Sequence, residues 1–204
     1  MKEYNSIPSY KNMKKNRINK LFPEIYAYYK YDGSNMRCEW TPKNGFHKFG
    51  SRNYIIDESH EYLGESIPLF MDTYSRDIQD IIDNNKEFNK CERLTFFYEF
   101  LGDESFAGFH MYDDPKYIKL FDVHKHKYGF LDPKTFNELF YNLDIAKLVY
   151  HGKLTDNFIN DVMENNLDLN EGVVCKYNGG SKSKMFKIKT NDYLMRLEKK
   201  GLEE

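Results

Sequence analysis

The run Ile25-Tyr26-Ala27-Tyr28-Tyr29 leads straight into Lys30-Tyr31-Asp32-Gly33, and this junction constrains the chain more than any other segment. An apolar-aromatic run reads as a strand, and an Asp-Gly step reads as a tight turn. Lys30 therefore sits where a strand enters a turn, held rigidly at a cleft edge. Lysine is ordinarily a solvated surface residue, so one delivered by an apolar strand needs a chemical reason. After Asp32-Gly33-Ser34-Asn35 a second strand follows at 36–40, and the two segments, 25–31 and 36–40, are predicted to pair as a hairpin.

Further along, a turn at 42–45 leads into a strand at 46–49. Apolar residues Phe70, Tyr74, Ile78, Ile81 and Ile82 fall at helical spacing within 69–88, with acids on the other face. Segments 93–101, 107–112 and 117–124 read as three strands separated by Gly-Asp and Asp-Asp-Pro turns. Asp132-Pro133 is a helix start, with Asp as cap and Pro in the first turn, and predicts a helix reaching Leu143. A short helix at 155–166, a strand pair at 171–177 and 185–190 joined by Asn-Gly-Gly-Ser, and a closing helix at 191–200 complete the chain. Helices and strands mix without a regular βαβ alternation, which predicts an α+β fold of largely antiparallel sheets with flanking helices. A single domain over 1–204 is expected, with a basic segment at 1–24, a core at 25–190 and a C-terminal helix at 191–204.

Thirty basic residues face 32 acidic ones, so no global field draws the protein toward nucleic acid. Phosphate binding must come from local arrangement. Lys11, Lys14, Lys15, Arg17 and Lys20 fall in ten residues without an acid; they read as a phosphate-gripping segment or equally as the solvated face of an N-terminal helix. Three widely spaced cysteines, Cys38, Cys91 and Cys175, give neither a disulfide framework nor metal-ligand spacing, which points to a reducing cytosol. No stretch is long and apolar enough to span a membrane, and no membrane partner is expected. Abundant Asn, Lys, Tyr, Phe and Ile fit an AT-rich coding genome; a cytoplasmic protein, a viral or phage protein in a host cytoplasm included, is the expectation.

Four more segments offer chemistry. Glu99 is a carboxylate inside the apolar run Phe96–Leu101, and Phe121-Asp122 ends another strand. Glu171-Gly172-Val173-Val174-Cys175-Lys176 opens a strand with a carboxylate and a glycine. Lys187-Ile188-Lys189 places two lysines on one strand face, because side chains alternate with period two. Singly, each has an ordinary explanation, such as a solvent-facing carboxylate or a polar edge strand. Their order and spacing together do not.

In that order the segments resemble the collinear motifs of the covalent nucleotidyltransferases, the superfamily of ATP-dependent DNA and RNA ligases and mRNA capping enzymes. Lys30-Tyr31-Asp32-Gly33 matches the nucleotidyl-lysine motif, and Phe49-Gly50-Ser51-Arg52 resembles the segment whose arginine engages phosphate. Tyr98-Glu99-Phe100 matches the motif whose glutamate holds the ribose hydroxyl; Phe121-Asp122 resembles the segment whose aromatic ring stacks on the purine. Glu171–Lys176 matches Glu-Gly-x-Val-x-Lys, and Lys187-Ile188-Lys189 the terminal Lys-x-Lys. Ser34-Asn35 is similar to the RNA-ligase branch, whereas DNA ligases and capping enzymes more often place arginine two residues past the glycine; here Arg37 lies four past it.

The resemblance implies a nucleotidyltransferase (ATP-grasp-like) domain and an ATP-dependent RNA ligase. Lys30 would be the nucleophile, aided by Lys187 and Lys189, with Tyr29, Asp32, Gly33, Asn35, Arg52, Glu99, Phe121 and Glu171 around the nucleotide. Glu171, directly or through water, and Asp122 are the candidate ligands for Mg²⁺ or Mn²⁺, and Lys14, Lys15 and Arg17 the candidate grips on nucleic-acid phosphates. Only roughly one lysine in 2,500 is neutral at pH 7; desolvation and neighbouring cations are what would activate Lys30. The expected partners are RNA ends or nicks, with DNA left open. Fifteen residues follow Lys189, too few for the OB domain these enzymes usually carry there, so either the core acts alone or a partner protein supplies that grip. The alternatives are a DNA nick ligase or a capping-type guanylyltransferase with the same lysine chemistry, and a non-catalytic end-binding module.

Overall fold

The structure is a computed structural model that describes residues 1–13, 24–111 and 113–202. Among these the chain runs β1 (Ile25–Lys30), β2 (Ser34–Thr41), β3 (Gly45–Ser51), β4 (Ile55–Ile56), α1 (Ser66–Asn84), β5 (Leu94–Gly102), β6 (Lys116–Lys125) and β7 (Gly129–Phe130). It continues through α2 (Pro133–Phe140), β8 (Leu148–Gly152), α3 (Asp156–Met163), β9 (Gly172–Tyr177), β10 (Lys184–Lys189) and α4 (Asn191–Lys199). The named strands pair antiparallel throughout, in one sheet of order β10-β9-β1-β8 and another of order β4-β3-β2-β5-β6-β7. The fold is α+β, as the mixed pattern of elements predicts.

Two compact units divide the chain. One comprises Met1–Tyr4, Gly33–Ile145 and Gly179–Lys182 and holds the six-stranded sheet with α1 and α2. The other comprises Asn5–Asp32, Ala146–Asn178 and Ser183–Glu204 and holds the four-stranded sheet with α3 and α4.

In the four-stranded unit, period-two alternation sorts apolar from charged. Ile25, Ala27, Val173, Cys175, Phe186 and Ile188 form one face and pack with Phe158, Ile159 and Val162 of α3. Such burial is worth about 1.5–3 kcal/mol for each large side chain. The opposite face is then fixed by register: Lys30 pairs with Gly172, which pairs with Lys189, and Tyr28 pairs with Val174, which pairs with Lys187. Both helices begin on a threonine cap. Thr155 Oγ1 accepts from Phe158 N at 3.1 Å, and Thr190 Oγ1 accepts from Tyr193 N at 3.1 Å.

In the six-stranded unit α1 covers one sheet face. Phe70 lies 4.9 Å from Tyr98 and 5.7 Å from both Phe46 and Phe49, ring to ring, and Trp40 Nε1 donates to Gln79 Oε1 at 2.8 Å. Asp132 caps α2 as its Asp-Pro start predicts, accepting from Lys134 N at 3.0 Å. On the other sheet face the cross-strand pairs are Asn35 with Glu99, Arg37 with Phe97 and Glu39 with Thr95.

Two expectations are corrected, and one strand is added. The predicted hairpin of 25–31 with 36–40 does not form: β1 pairs with β8 and β9, and β2 with β3 and β5. Asp32-Gly33 is a change of sheet, not a hairpin turn, because Gly33 passes so close to β5 that a Cβ there would lie 2.3 Å from Phe100 O. Segment 107–111 is a loop and not a strand, since Ala107 (φ 51°) and Gly108 (φ 81°) leave the extended region; Tyr112 lies outside the described residues. Strand β8, with no counterpart in the sequence reading, supplies the second partner of β1.

Candidate active site

The chemistry predicted for the Lys-x-Asp-Gly junction concentrates in the four-stranded unit. Lys30 closes β1, and Glu171 stands immediately before β9. Gly172 occupies the step between them with φ 147°, where a Cβ would lie 2.1 Å from Ile188 O. That glycine lets β9 and β10 close tightly enough for Glu171 to take two ammonium groups. Its Oε2 lies 2.6 Å from Lys30 Nζ and its Oε1 3.1 Å from Lys189 Nζ. The side chains of Glu171 and Lys189 are 4% and 8% exposed and that of Lys30 is 23% exposed, so the nucleophile candidate is the most accessible of the three. Two ammonium groups thus converge on one carboxylate, and each is a charge-assisted donor of the kind that a phosphate chain accepts from.

Around this trio the strand faces bring the remaining candidates of that unit. Lys187 lies two residues before Lys189 and so shares its face; its backbone N donates to Pro8 O at 2.9 Å, which ties β10 to the N-terminal turn Tyr10–Asn12 through Ser9. Tyr29 points the other way, and its hydroxyl accepts from Asn170 N at 2.8 Å, fixing the chain just before Glu171. Asp32 is buried and hydrogen-bonded by the Tyr193 hydroxyl. Burial, with the Glu171 and Asp32 charges adding to it, pushes the Tyr193 phenol far above its ordinary range. A single hard carboxylate is a fitting donor for Mg²⁺, which keeps most of its water and takes one or two protein oxygens. Glu171 is the group that would hold it, and the bound ion would supply positive charge to phosphate oxygens.

The six-stranded unit holds the remaining described candidates, beginning at Gly33. Glu99 Oε1 accepts from Gly33 N at 3.2 Å, and Asn35 stands opposite Glu99 on the neighbouring strand. Asn35 Oδ1 is buried with no hydrogen-bond partner among the described residues, an acceptor that a bound donor would satisfy. Phe121 sits at a bulge, where the register shifts between Phe97 and Tyr98. Such a bulge re-aims a side chain. The Phe121 ring lies 5.1 Å from Tyr4 and 6.4 Å from Phe97. Asp122 is buried, and both its oxygens already accept hydrogen bonds, from Tyr4 Oη at 2.9 Å and from Val123 N at 3.1 Å. Arg52 lies exposed past the end of β3 and makes no ion pair among the described residues. Lys14, Lys15 and Arg17 lie outside the described residues.

Two contributors escape motif reading. Tyr193, three residues past the Thr190 cap, belongs to no motif. His110 lies in the loop misread as a strand; its Nε2 is 2.8 Å from Ser34 Oγ and its Nδ1 2.9 Å from Ser105 Oγ, which accepts from Gly102 N. Burial first, then Lys116, holds its imidazole below the ordinary histidine range, against a smaller pull from Asp114.

Comparison with solved structures returns the same fold. A Naegleria gruberi RNA ligase with PPi matches at a TM-score of 0.67 and 18% identity over 98% of this chain. Variants of that ligase, one with AMP and Mn and another with ATP and Mn, match at TM-scores of 0.68 and 0.64, with 15% and 18% identity over 96% and 94% of this chain. The chain spans 58%, 58% and 57% of the length of these three. Among curated protein sequences nothing matches. The RNA ligase family model, by contrast, matches residues 23–189, which takes in every motif from Lys30 to Lys189, and the chain belongs to the RNA ligase family.

Proposed function

We propose that this chain carries the nucleotidyl-transfer chemistry of an ATP-dependent RNA ligase. Lys30 Nζ attacks the α-phosphorus of ATP; a P–N bond forms, the bond to the β-phosphate oxygen breaks, and pyrophosphate leaves. The AMP then passes from Lys30 to the 5′-phosphate of an RNA end, and a 3′-hydroxyl attacks that activated end and releases AMP. The observation that carries this reading is the pair of ammonium groups on Glu171, at 2.6 and 3.1 Å. An ammonium held by a carboxylate has no lone pair to attack with, so the observed trio is the resting arrangement. Entry of the triphosphate gives Lys189 and Lys187 anionic partners, and Glu171 is the residue to hold Mg²⁺ or Mn²⁺. Lys30 Nζ gives its proton to water and attacks.

Glu99 and Asn35 are read as the nucleoside-holding groups, Phe121 as the base-stacking ring and Arg52 as a phosphate contact. RNA ends or nicks are the substrate that the family points to, with the cytoplasm as compartment, and Lys14, Lys15 and Arg17 as grips on the strand. The two units are read as one nucleotidyltransferase domain. The printed ligands of the similar structures, PPi, AMP, ATP and Mn, support the choice of nucleotide and cation. Incubation with α-labelled ATP and Mg²⁺ tests the proposal. The protein should acquire acid-stable label, and Lys30→Ala should acquire none; absence of label on the parent, or label persisting on Lys30→Ala, would remove the enzyme reading.

A further inference from the structure

In the loop that follows β5, Ala107 and Gly108 both take positive φ, 51° and 81°. Two such residues make the tight turn of a two-residue hairpin, closed here by Phe106 N to Phe109 O at 3.2 Å and Phe109 N to Phe106 O at 3.0 Å. Ser105 and His110 are the next pair outward, and their side chains join, with Ser105 Oγ 2.9 Å from His110 Nδ1. The other ring nitrogen reaches β2, where Nε2 lies 2.8 Å from Ser34 Oγ. The same ring packs 5.1 Å from that of Phe100, which is fully buried. Ser34 and Phe100 are cross-strand partners of β2 and β5, and the pair beside them is Asn35 with Glu99.

Proton bookkeeping fixes the direction of this chain. Gly102 N donates to Ser105 Oγ at 2.7 Å, which leaves the Ser105 O–H to donate to Nδ1. The imidazole proton is thereby assigned to Nε2, which donates to Ser34 Oγ. The Ser34 O–H then turns to Gly108 O, 3.4 Å away, and the run closes on the loop's own backbone. A neutral imidazole thus accepts from one serine and donates to the other; an apolar ring would fill the space against Phe100 and tie neither. Burial and the charge of Lys116, against a smaller pull from Asp114, favour that neutral form.

The residue after Ser34 gives the chain a use. Asn35 Oδ1 is buried with no hydrogen-bond partner among the described residues. Such an acceptor costs free energy until a donor meets it, and a ligand meets it only where the backbone at 34–35 is held still. We propose that His110 is a positioning residue for nucleoside binding: it fixes Ser34, and so holds Asn35 opposite Glu99 to receive the nucleoside. This inference rests on the nucleotidyl-transfer reading above, with Asn35 as a nucleoside-holding group, and adds a residue outside its motifs.

A two-by-two comparison of the parent, His110→Phe, Asn35→Ala and the double variant tests it, by single-turnover labelling across a range of ATP concentrations. His110→Phe keeps a ring against Phe100 and removes both hydrogen bonds. Its half-saturating ATP concentration should rise about tenfold, the size expected for lost hydrogen bonds in a part-buried site. The rate at saturating ATP should stay within about threefold, because binding lost equally from ground and transition states leaves that rate alone. With Asn35→Ala already present, adding His110→Phe should raise half-saturation by less than about twofold. Ser34→Ala, which cuts only the link to β2, should raise it by about threefold or more in the parent background. Half-saturation within about twofold of the parent in His110→Phe or Ser34→Ala overturns the proposal. So does an equal rise in both Asn35 backgrounds, or a fall in the saturating rate with half-saturation unmoved. If His110→Phe does not fold, Ser34→Ala decides alone by the same thresholds. A parent that takes no label removes the nucleotidyl-transfer reading itself, and with it this role. A parent that labels beside an Asn35→Ala of parental half-saturation removes Asn35 as a nucleoside group and this role with it; an impaired Asn35→Ala beside a parental His110→Phe removes the positioning role alone.

Discussion

Each unit buries one glutamate among cations, and the two do it differently. In the four-stranded unit Glu171 meets two lysine ammonium groups, both on strand ends, and Lys30 remains partly open to solvent. In the six-stranded unit Glu39 meets the Met1 amine at 3.2 Å, His47 at 3.7 Å, and Lys48 and Arg93 at 3.8 Å each. Arg37 on the same strand is likewise covered, donating to Lys2 O at 3.1 Å and lying 3.7 Å from Glu3. The first arrangement gathers two lysines from two strand ends on one carboxylate, and under the proposed function a triphosphate and a cation would each take over a partner. The second is crowded and spread over several elements, so no single ligand replaces it. Burial of charge alone does not distinguish the two; the number of partners and the elements that supply them do.

Breaking each carboxylate should separate the two roles. Glu171→Ala should lose adenylylation by roughly a thousandfold or more, beyond rescue by added Mg²⁺, because it removes both the partner of Lys30 and the cation's oxygen donor; near-parental labelling would erase the contrast. Glu39→Ala should act on stability instead. Removing one partner of a buried ion cluster costs about 3 kcal/mol, read by urea unfolding, while the labelling rate of the folded fraction stays within about twofold. A smaller effect concerns His124, whose ring packs against Phe130 at 5.1 Å. Burial, then the positive charges of Lys2, His126 and Arg93, lower its pKa from 6.5 to about 4. The unfolded chain thus takes up this proton first. Stability from the neutral ring is present above about pH 6.5 and is lost as pH falls toward about 4. His124→Gln should flatten that acid limb in thermal melts taken across the same window, and an unchanged slope would clear His124 of the effect.

Much of this contrast is legible in the residues, and the illegible parts have definite causes. Period two alone places Lys187 and Lys189 on one face, and an apolar β9 that opens at Gly172, directly after Glu171, announces the carboxylate beside them. The hairpin misreading of 25–40 arises because Asp-Gly signals a turn locally, whereas the close approach of Gly33 to Phe100 O is a contact 67 positions away in sequence. Ala107 gives no hint that it adopts φ 51°, so the His110 loop reads as a strand. Strand β8 is short and half exposed, and lacks the alternation that would flag it. The covering of Arg37 and Glu39 by Met1–Tyr4 and the placing of Tyr193 over Lys189 are tertiary facts that no local pattern carries.

Lys30 itself is the residue proposed to take the nucleotide. Incubating the purified protein with ATP and Mg²⁺, digesting it and mapping the modified peptide by mass spectrometry tests this directly. The mass of one AMP is expected on the peptide containing Lys30 and on no other lysine. AMP mapped to Lys187, Lys189 or any other residue, or no adduct on the parent protein, would contradict it.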